Sequence, residues 1–160
     1  MATAEVHGMA QRGGSVLSSV RFGDEVYSPV IAKGEADFLL GFEKLEAVRY
    51  LPHLKKGGVA LVNDQRITPT IEALKTAPYP LNIEQLLQMR AGRTHLIDGL
   101  KIATEIGNPK LANTVLIGVL ASFLSFAEET WCHAINELVP PHTSDQNMRA
   151  FRLGLHTIEQ

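Results

Sequence analysis

The sequence predicts an α/β fold: three layers, αβα, around a mixed, largely parallel sheet, with a C-terminal helical part. Three observations carry that expectation. Residues 37–42 (DFLLGF) and 59–63 (VALVN) are short, almost continuously apolar runs, as strands covered on both faces should be. Between them, residues 43–51 place Leu45, Val48 and Leu51 on one helical stripe. Strand, helix, Gly57-Gly58 and strand therefore read as a βαβ unit with parallel strands and a right-handed crossover. Beyond residue 100 every periodic segment has helical spacing, and no further strand is predicted.

Composition narrows the function classes. A chain of 160 residues suits one domain that can bury most of its apolar surface without disulfides or metal. It is 45% hydrophobic and 20% charged, and its 15 basic and 17 acidic side chains give a formal charge of -2. That balance argues against nucleic acid, and the solitary Arg12-Gly13-Gly14 lacks the basic repetition of an RNA-binding segment. The lone Cys132 excludes an internal disulfide. Residues 1–10 show no secretory signal, so a reducing cytoplasm is expected. The longest apolar stretch, residues 115–127, is interrupted by Ser122 and Ser125 and falls short of the roughly 20 residues that cross a bilayer. It reads as a buried helix, with no membrane association.

Taken in order, residues 3–7 form a short β-branched run, and residues 16–22 alternate, with Val16, Ser18, Val20 and Phe22 on one face. Between them Gly8, Gly13 and Gly14 permit positive φ and close approach, and Arg12 adds a fixed cation with five donors. Such a loop suits an anion or a partner chain; equally it could be a tight connection carrying a solvated charge. Gly23-Asp24-Glu25 suggests a hairpin turn into a strand over residues 26–30, which Pro29 confines to an edge or ends. Residues 37–42 are the central-strand candidate. The helix over 43–51 ends near Pro52, and Gly57-Gly58 closes the unit before the strand at 59–63.

Asn63-Asp64-Gln65-Arg66 lies just past the C-terminal end of that strand, where open α/β sheets bind ligands or partners, although the same residues would also make a polar connection. The prolines at 69, 78 and 80 predict an irregular segment over 67–80 with a short helix at 70–75. Ile83, Leu86 and Leu87 support one or two helical turns over 83–89. A strand at 94–97, a turn at Asp98-Gly99 and a helix over 100–106 follow, the helix stopped by Gly107-Asn108-Pro109. Residues 110–126 read as one buried helix, with Gly118 and Ser122 forming a small-residue patch for close approach. Residues 128–138 form a polar helix with Trp131, Ile135 and Leu138 inward, ended by Pro140-Pro141. Ser144 or Asp145 caps a last helix through Met148, Phe151 and Leu155, with Arg149 and Arg152 nearer the opposite face. There is no internal repeat.

Much chemistry is missing. One cysteine cannot supply the four thiolates that an iron-sulfur cluster ordinarily takes. The histidines at 7, 53, 95, 133, 142 and 156 lack zinc-site spacing, and adjacency points Cys132 and His133 in different directions, so no metal site is expected. No Gly-x-Ser-x-Gly elbow or Walker loop occurs, and Ser15, Ser18 and Ser19 lack a positioned base. His7, near a strand end, can serve in core hydrogen bonding as well as in catalysis.

The segment EVHGMAQRGGSV with its SxVRFG continuation resembles the signature of the gamma-type domain of 2-oxoacid:ferredoxin oxidoreductases. Val6, His7 and Ala10-Gln11 resemble most the indolepyruvate (aryl-pyruvate) branch, where the domain is the beta subunit. Asp98, Gly107-Asn108, residues 113–121 and residues 147–154 match later parts of the family pattern in order, so the likeness covers essentially the whole chain. One departure is large: relatives usually start with a strand and a Gly-x-Gly-Gly-Gln-Gly turn ahead of this segment, whereas here Met1-Ala2-Thr3 stands in what should be the second strand. The expectation is a single gamma-type domain over residues 1–160, shortened at its N-terminus, mis-started or lacking that unit by nature. A sheet edge and an apolar helix surface would then be uncovered.

The resemblance implies a subunit of a complex that oxidatively decarboxylates aryl 2-oxoacids such as indolepyruvate to acyl-CoA while reducing ferredoxin. It implies that thiamine diphosphate, magnesium and iron-sulfur clusters belong to a large partner subunit, with coenzyme A as co-substrate, and that this chain holds no cofactor firmly and is inactive in isolation. Arg12, Gly13, Gly14 and Ser15 become the loop facing coenzyme A or the partner, with no catalytic residue in this chain. Self-association stays open. The alternatives are a pyruvate- or branched-chain-type gamma subunit and a non-enzymatic α/β binding or scaffold module.

Overall fold

The computed structural model describes residues 1–7, 16–67 and 79–158, with the backbone alone at His7 and Arg90. Among these, strands β1 (Ala2–His7) and β2 (Val16–Arg21) pair antiparallel. Strands β3 (Ala36–Gly41), β4 (Leu54–Asn63) and β5 (Arg93–Ile97) form a parallel sheet in the order β3-β4-β5. The helices are α1 (Lys44–Tyr50), α2 (Ile83–Arg90), α3 (Gly99–Ile106), α4 (Ala112–Ala121), α5 (Glu128–Leu138) and α6 (Ser144–Leu155). The α/β class holds. The antiparallel pair and the parallel trio are two sheets among the described residues, rather than one mixed sheet.

The layering follows from the period of two along β4. Ala60 and Val62 pack into a core with Ala47 and Leu51 beside α1 and with Ile83 and Leu87 of α2, while Val59 and Leu61 pack the other way, with Ile97 and with Leu116 and Val119 of α4. One strand thus feeds two cores, and helices cover both faces. β3 does the same, Ala36 and Leu39 joining the first core and Phe38 and Leu40 the second. Its unbroken apolar run reports two covered faces, not two neighbouring strands: β4 is the central strand and β3 lies at the margin of the described sheet.

Gly57-Gly58 does not close the βαβ unit before a strand at 59. β4 begins at Leu54, and Gly57, at φ +81°, lies inside it where the pairing jumps from Ala36↔Leu54 to Phe38↔Val59. The irregularity makes room for the approach to β5, because a Cβ on Gly92 would stand 2.4 Å from the Gly57 Cα, and the Gly92 N–H donates to the Gly58 carbonyl at 2.9 Å.

The expected strand at 26–30 is absent. Pro29 has no N–H to offer a ladder, and the segment instead lies beside β2 through side chains: Ser19 Oγ donates to the Pro29 carbonyl and Arg21 Nη1 to the Val30 carbonyl, each at 2.9 Å. Val16, Ser18 and Val20 share a face of β2 as expected, and that face is exposed to solvent. Phe22, just past the strand, stacks at 5.6 Å on Phe126, which meets Trp131 at 6.0 Å and so links the hairpin to α5.

The helical half departs from its pattern in detail. A 3-10 turn, Pro109–Leu111, precedes α4, which stops at Ala121 instead of running to 126. Ser122 Oγ donates to the Val119 carbonyl at 2.8 Å, and Phe123 turns back onto Phe38 and His95, with ring centroids 6.0 and 5.5 Å away. Leu138 is exposed and Val139 packs inward in its place, because the chain has left helical geometry by then. The last helix starts after Thr143; Ser144 is its first helical residue, and its hydroxyl bonds to the Asn136 side chain instead of capping. The short helix expected at 70–75 lies outside the described residues. Among the described residues no helix is long and apolar enough to cross a membrane.

Gly118 does mark a close approach, but its counterpart is Gly154 of α6 rather than Ser122. A Cβ on Gly118 would lie 2.1 Å from the Phe151 carbonyl oxygen, and one on Gly154 would lie 2.0 Å from that of Val115. Alanine favours an exposed helix over glycine by about 0.5–1 kcal/mol, yet this clash is with backbone that cannot step aside. Gly154→Ala should therefore lower stability by about 1–3 kcal/mol in denaturant unfolding. Arg149→Ala on the same helix should change it by less than about 0.5 kcal/mol.

Candidate functional site

Parallel strands bring their C-terminal ends to one rim, and here three of them meet at Asn63. β4 ends on this residue, whose side chain is only 2% exposed. Its Oδ1 accepts from the Gly99 N–H at 3.1 Å, and its Nδ2 donates to the Phe42 carbonyl at 3.3 Å and to Gln65 Oε1 at 3.0 Å. The amide thus joins the exits of β3 and β4 to the start of α3. Gly99 packs closely on this amide, since a Cβ there would sit 3.0 Å from Asn63 Oδ1. Asp98 completes that junction, its carboxylate capping α3 at the Lys101 N–H, 3.0 Å away.

Beside it Glu43 forms a second node. Sequence periodicity places this residue inside the first helix; the structure makes it the N-cap, in extended conformation, with Oε2 accepting from the Glu46 N–H at 2.9 Å. Its Oε1 accepts from the Tyr79 hydroxyl at 2.6 Å and from the Ile67 N–H at 3.4 Å. A buried carboxylate is tolerable only with such donors. Burial, then the hydrogen bond and charge of Glu43, push the Tyr79 phenol well above its usual range. The Arg66 guanidinium lies 4.2 Å from the Tyr79 ring centroid, and Lys44 pairs with Asp64.

Asn63, Asp64, Gln65 and Arg66 are therefore brought together at the rim, as their place after a strand suggested. Glu43, Lys44, Tyr79 and Gly99 join them without having been singled out. No capping pattern marks Glu43 in the sequence, because glutamate is not among the usual N-cap residues. Most polar groups at this rim bond to one another, which leaves Arg66 and the Lys44–Asp64 pair as the outward-facing charges. Arg12, Gly13, Gly14 and Ser15 lie outside the described residues, as do Gly8 and the His7 side chain; they belong to the connection between the paired ends His7 and Val16. On α5, Cys132 approaches Glu128 while His133 reaches Glu137 at 3.2 Å, so the adjacent pair does diverge.

Asn63→Ala should cost about 3 kcal/mol or more in denaturant unfolding, because the Gly99 N–H and the Phe42 carbonyl lose buried partners worth about 1–3 kcal/mol each. Tyr79→Phe should cost about 1.5–3 kcal/mol at neutral pH, the value of a hydrogen bond to a charged group. The raised phenol also sets a pH dependence. Folded and unfolded Tyr79 are both neutral below about pH 10, so this contribution is complete there. Above that, the unfolded phenol ionises while the folded one holds its proton, and stability falls as pH rises toward the folded value. Spectrophotometric titration should show a tyrosine that resists ionisation while the protein is folded, a feature absent in Tyr79→Phe.

Comparison with known proteins places this architecture. Residues 1–157 match the family model described as pyruvate ferredoxin/flavodoxin oxidoreductase. The chain is 41% identical over 161 residues to the indolepyruvate oxidoreductase subunit IorB of Thermococcus kodakarensis, covering 98% of this chain and 80% of that one. It is 40% identical over 162 residues to the protein of the same name from Pyrococcus horikoshii, with the same coverage. Among solved structures, the gamma subunit of keto/oxoacid ferredoxin oxidoreductase from Geobacter sulfurreducens PCA superposes with a TM-score of 0.60 at 21% identity, over 96% of this chain and 76% of that one. With a family model spanning nearly every residue and relatives near 40% identity along its length, the chain belongs to the pyruvate ferredoxin/flavodoxin oxidoreductase family.

Proposed function

We propose that this chain is the small subunit of an indolepyruvate-type 2-oxoacid:ferredoxin oxidoreductase, a single gamma-type domain working beside a large subunit that binds thiamine diphosphate and iron-sulfur clusters. The observation that carries this is the identity of 40–41% with two proteins named as subunits of indolepyruvate oxidoreductase, maintained over 98% of the chain. The assembled complex would decarboxylate an aryl 2-oxoacid oxidatively, form the acyl-CoA and reduce ferredoxin in the cytoplasm.

The donor set supports this division of labour. A four-thiolate cluster does not fit a chain with one cysteine. The magnesium ion that accompanies thiamine diphosphate needs convergent oxygen ligands, and among the described residues no group of three or more His, Cys, Asp or Glu is placed to hold a metal. Both groups are therefore assigned to the partner, and no chemical step is assigned to this chain. Its role is to shape the interface and to receive coenzyme A. In this reading Arg12, Gly13, Gly14 and Ser15 meet a phosphate of coenzyme A or a carboxylate of the partner, through the guanidinium and backbone N–H groups.

Co-expression with a large thiamine- and cluster-binding subunit of the same enzyme type should give a stable complex that reduces a dye only when oxoacid and coenzyme A are both present. Indolepyruvate and phenylpyruvate should turn over faster than pyruvate. A preference for pyruvate or a branched-chain oxoacid would reassign the substrate, and a stable complex without oxoacid-dependent reduction would leave a scaffold module. Arg12→Ala should raise the apparent KM for coenzyme A, or weaken subunit affinity, by about tenfold or more, the loss expected for a charge-assisted hydrogen bond of about 1.5–3 kcal/mol. Unchanged values of both would remove the loop from the site.

A further inference from the structure

A second constellation lies at the other end of the parallel sheet from the Asn63 rim, where β5 begins, and it does not depend on the proposed function. The turn after α4 leaves an open cavity of about 470 Å³ there, within the range of small-molecule sites. Arg93 and His95, two residues apart, lie on one face of β5 and line it together with Phe123 and Ser125. The Phe123 ring lies 5.8 Å from the Arg93 guanidinium and 5.5 Å from the His95 ring.

Among the described residues the cations divide into those paired with a carboxylate and those, such as Arg66, Arg93 and Arg149, that are not. Arg21, Arg49, Arg152, Lys44 and Lys55 each pair with a carboxylate. Among the described residues no carboxylate pairs with Arg93, and no Asp or Glu lines the cavity. His95 Nε2 is buried without a hydrogen-bond partner, and burial, followed by the charge of Arg93, pushes the imidazole below its usual range. The Ser125 hydroxyl stands exposed. An unpaired guanidinium and an exposed serine around a void walled by the Phe123 and His95 rings match an oxyanion carried on a small apolar body.

We propose that this cavity binds a small-molecule oxyanion, a carboxylate or a phosphate, with Arg93 taking the charge, Ser125 donating a hydrogen bond, and the Phe123 and His95 rings carrying the body of the ligand. Guanidinium geometry suits both anions, so the experiment uses both. Acetate and inorganic phosphate are titrated separately into the full-length chain at constant ionic strength maintained with chloride. The imidazole resonances are followed by NMR, with His95 identified from the His95→Gln variant. At least one of the two anions should shift the His95 signals saturably in the millimolar range, which names the preferred head group. Arg93→Ala should weaken that binding about tenfold or more, with the remaining spectrum preserved. Ser125→Ala, at an exposed site outside any strand or helix, should weaken it less and serves as the second variant should Arg93→Ala not fold. A shift that is linear for both anions, a shift that chloride reproduces, or affinity unchanged in every variant that folds would overturn the proposal.

Discussion

The side chain of Asn63 is where three strand exits are held in register, and the geometry of the rim depends on it. A primary amide offers an acceptor and two donors about a fixed plane, and at this position they reach the β3 exit, the β4 exit and the first turn of α3. No apolar residue of similar size could do this without stranding buried backbone groups. Gly99 and Asp98 complete the junction, one by having no Cβ and the other by capping the helix that leaves it. Glu43 adds the neighbouring link, binding the start of α1 to Ile67 and Tyr79.

The rest of the molecule is joined by close approach and aromatic contact. β4 supplies alternate residues to two cores, so each helix layer packs on the same strand and neither can shift without the other. α4 and α6 are joined through Gly118 and Gly154, whose missing Cβ atoms let the helix backbones meet. The β1–β2 hairpin stands apart from this packing: it carries the signature segment, exposes Val16 and Val20, and reaches the body through Phe22 and Phe126.

Several elements were legible because local chemistry and tertiary environment agree on them. The helix at 128–138, the strand before Asp98 and the Gly107 stop depend on periodicity, a cap and a left-handed glycine, each of which acts within a few residues. Errors arose where a local pattern had two physical causes. An unbroken apolar run in β3 looked like a central strand because covered faces and paired edges leave the same trace in sequence. The helix at 110–126 looked continuous because apolar residues packed around a turn have the composition of a buried helix, while only Phe123 folding back onto Phe38 and His95 ends it. Gly57-Gly58 signalled a break, but the close approach of Gly92 makes it an irregularity within a strand.

By itself the sequence determined the α/β class and the family, since these follow from hydrophobic period and motif order. Only the tertiary structure decided which polar residues act together. Glu43 and Tyr79 are 36 residues apart, as are Asn63 and Gly99, and Arg93 at the start of β5 meets Phe123 in the turn after α4. No local pattern encodes such pairs: a buried polar side chain is chosen by the partners that satisfy it, and chain topology, not sequence spacing, decides which partners arrive.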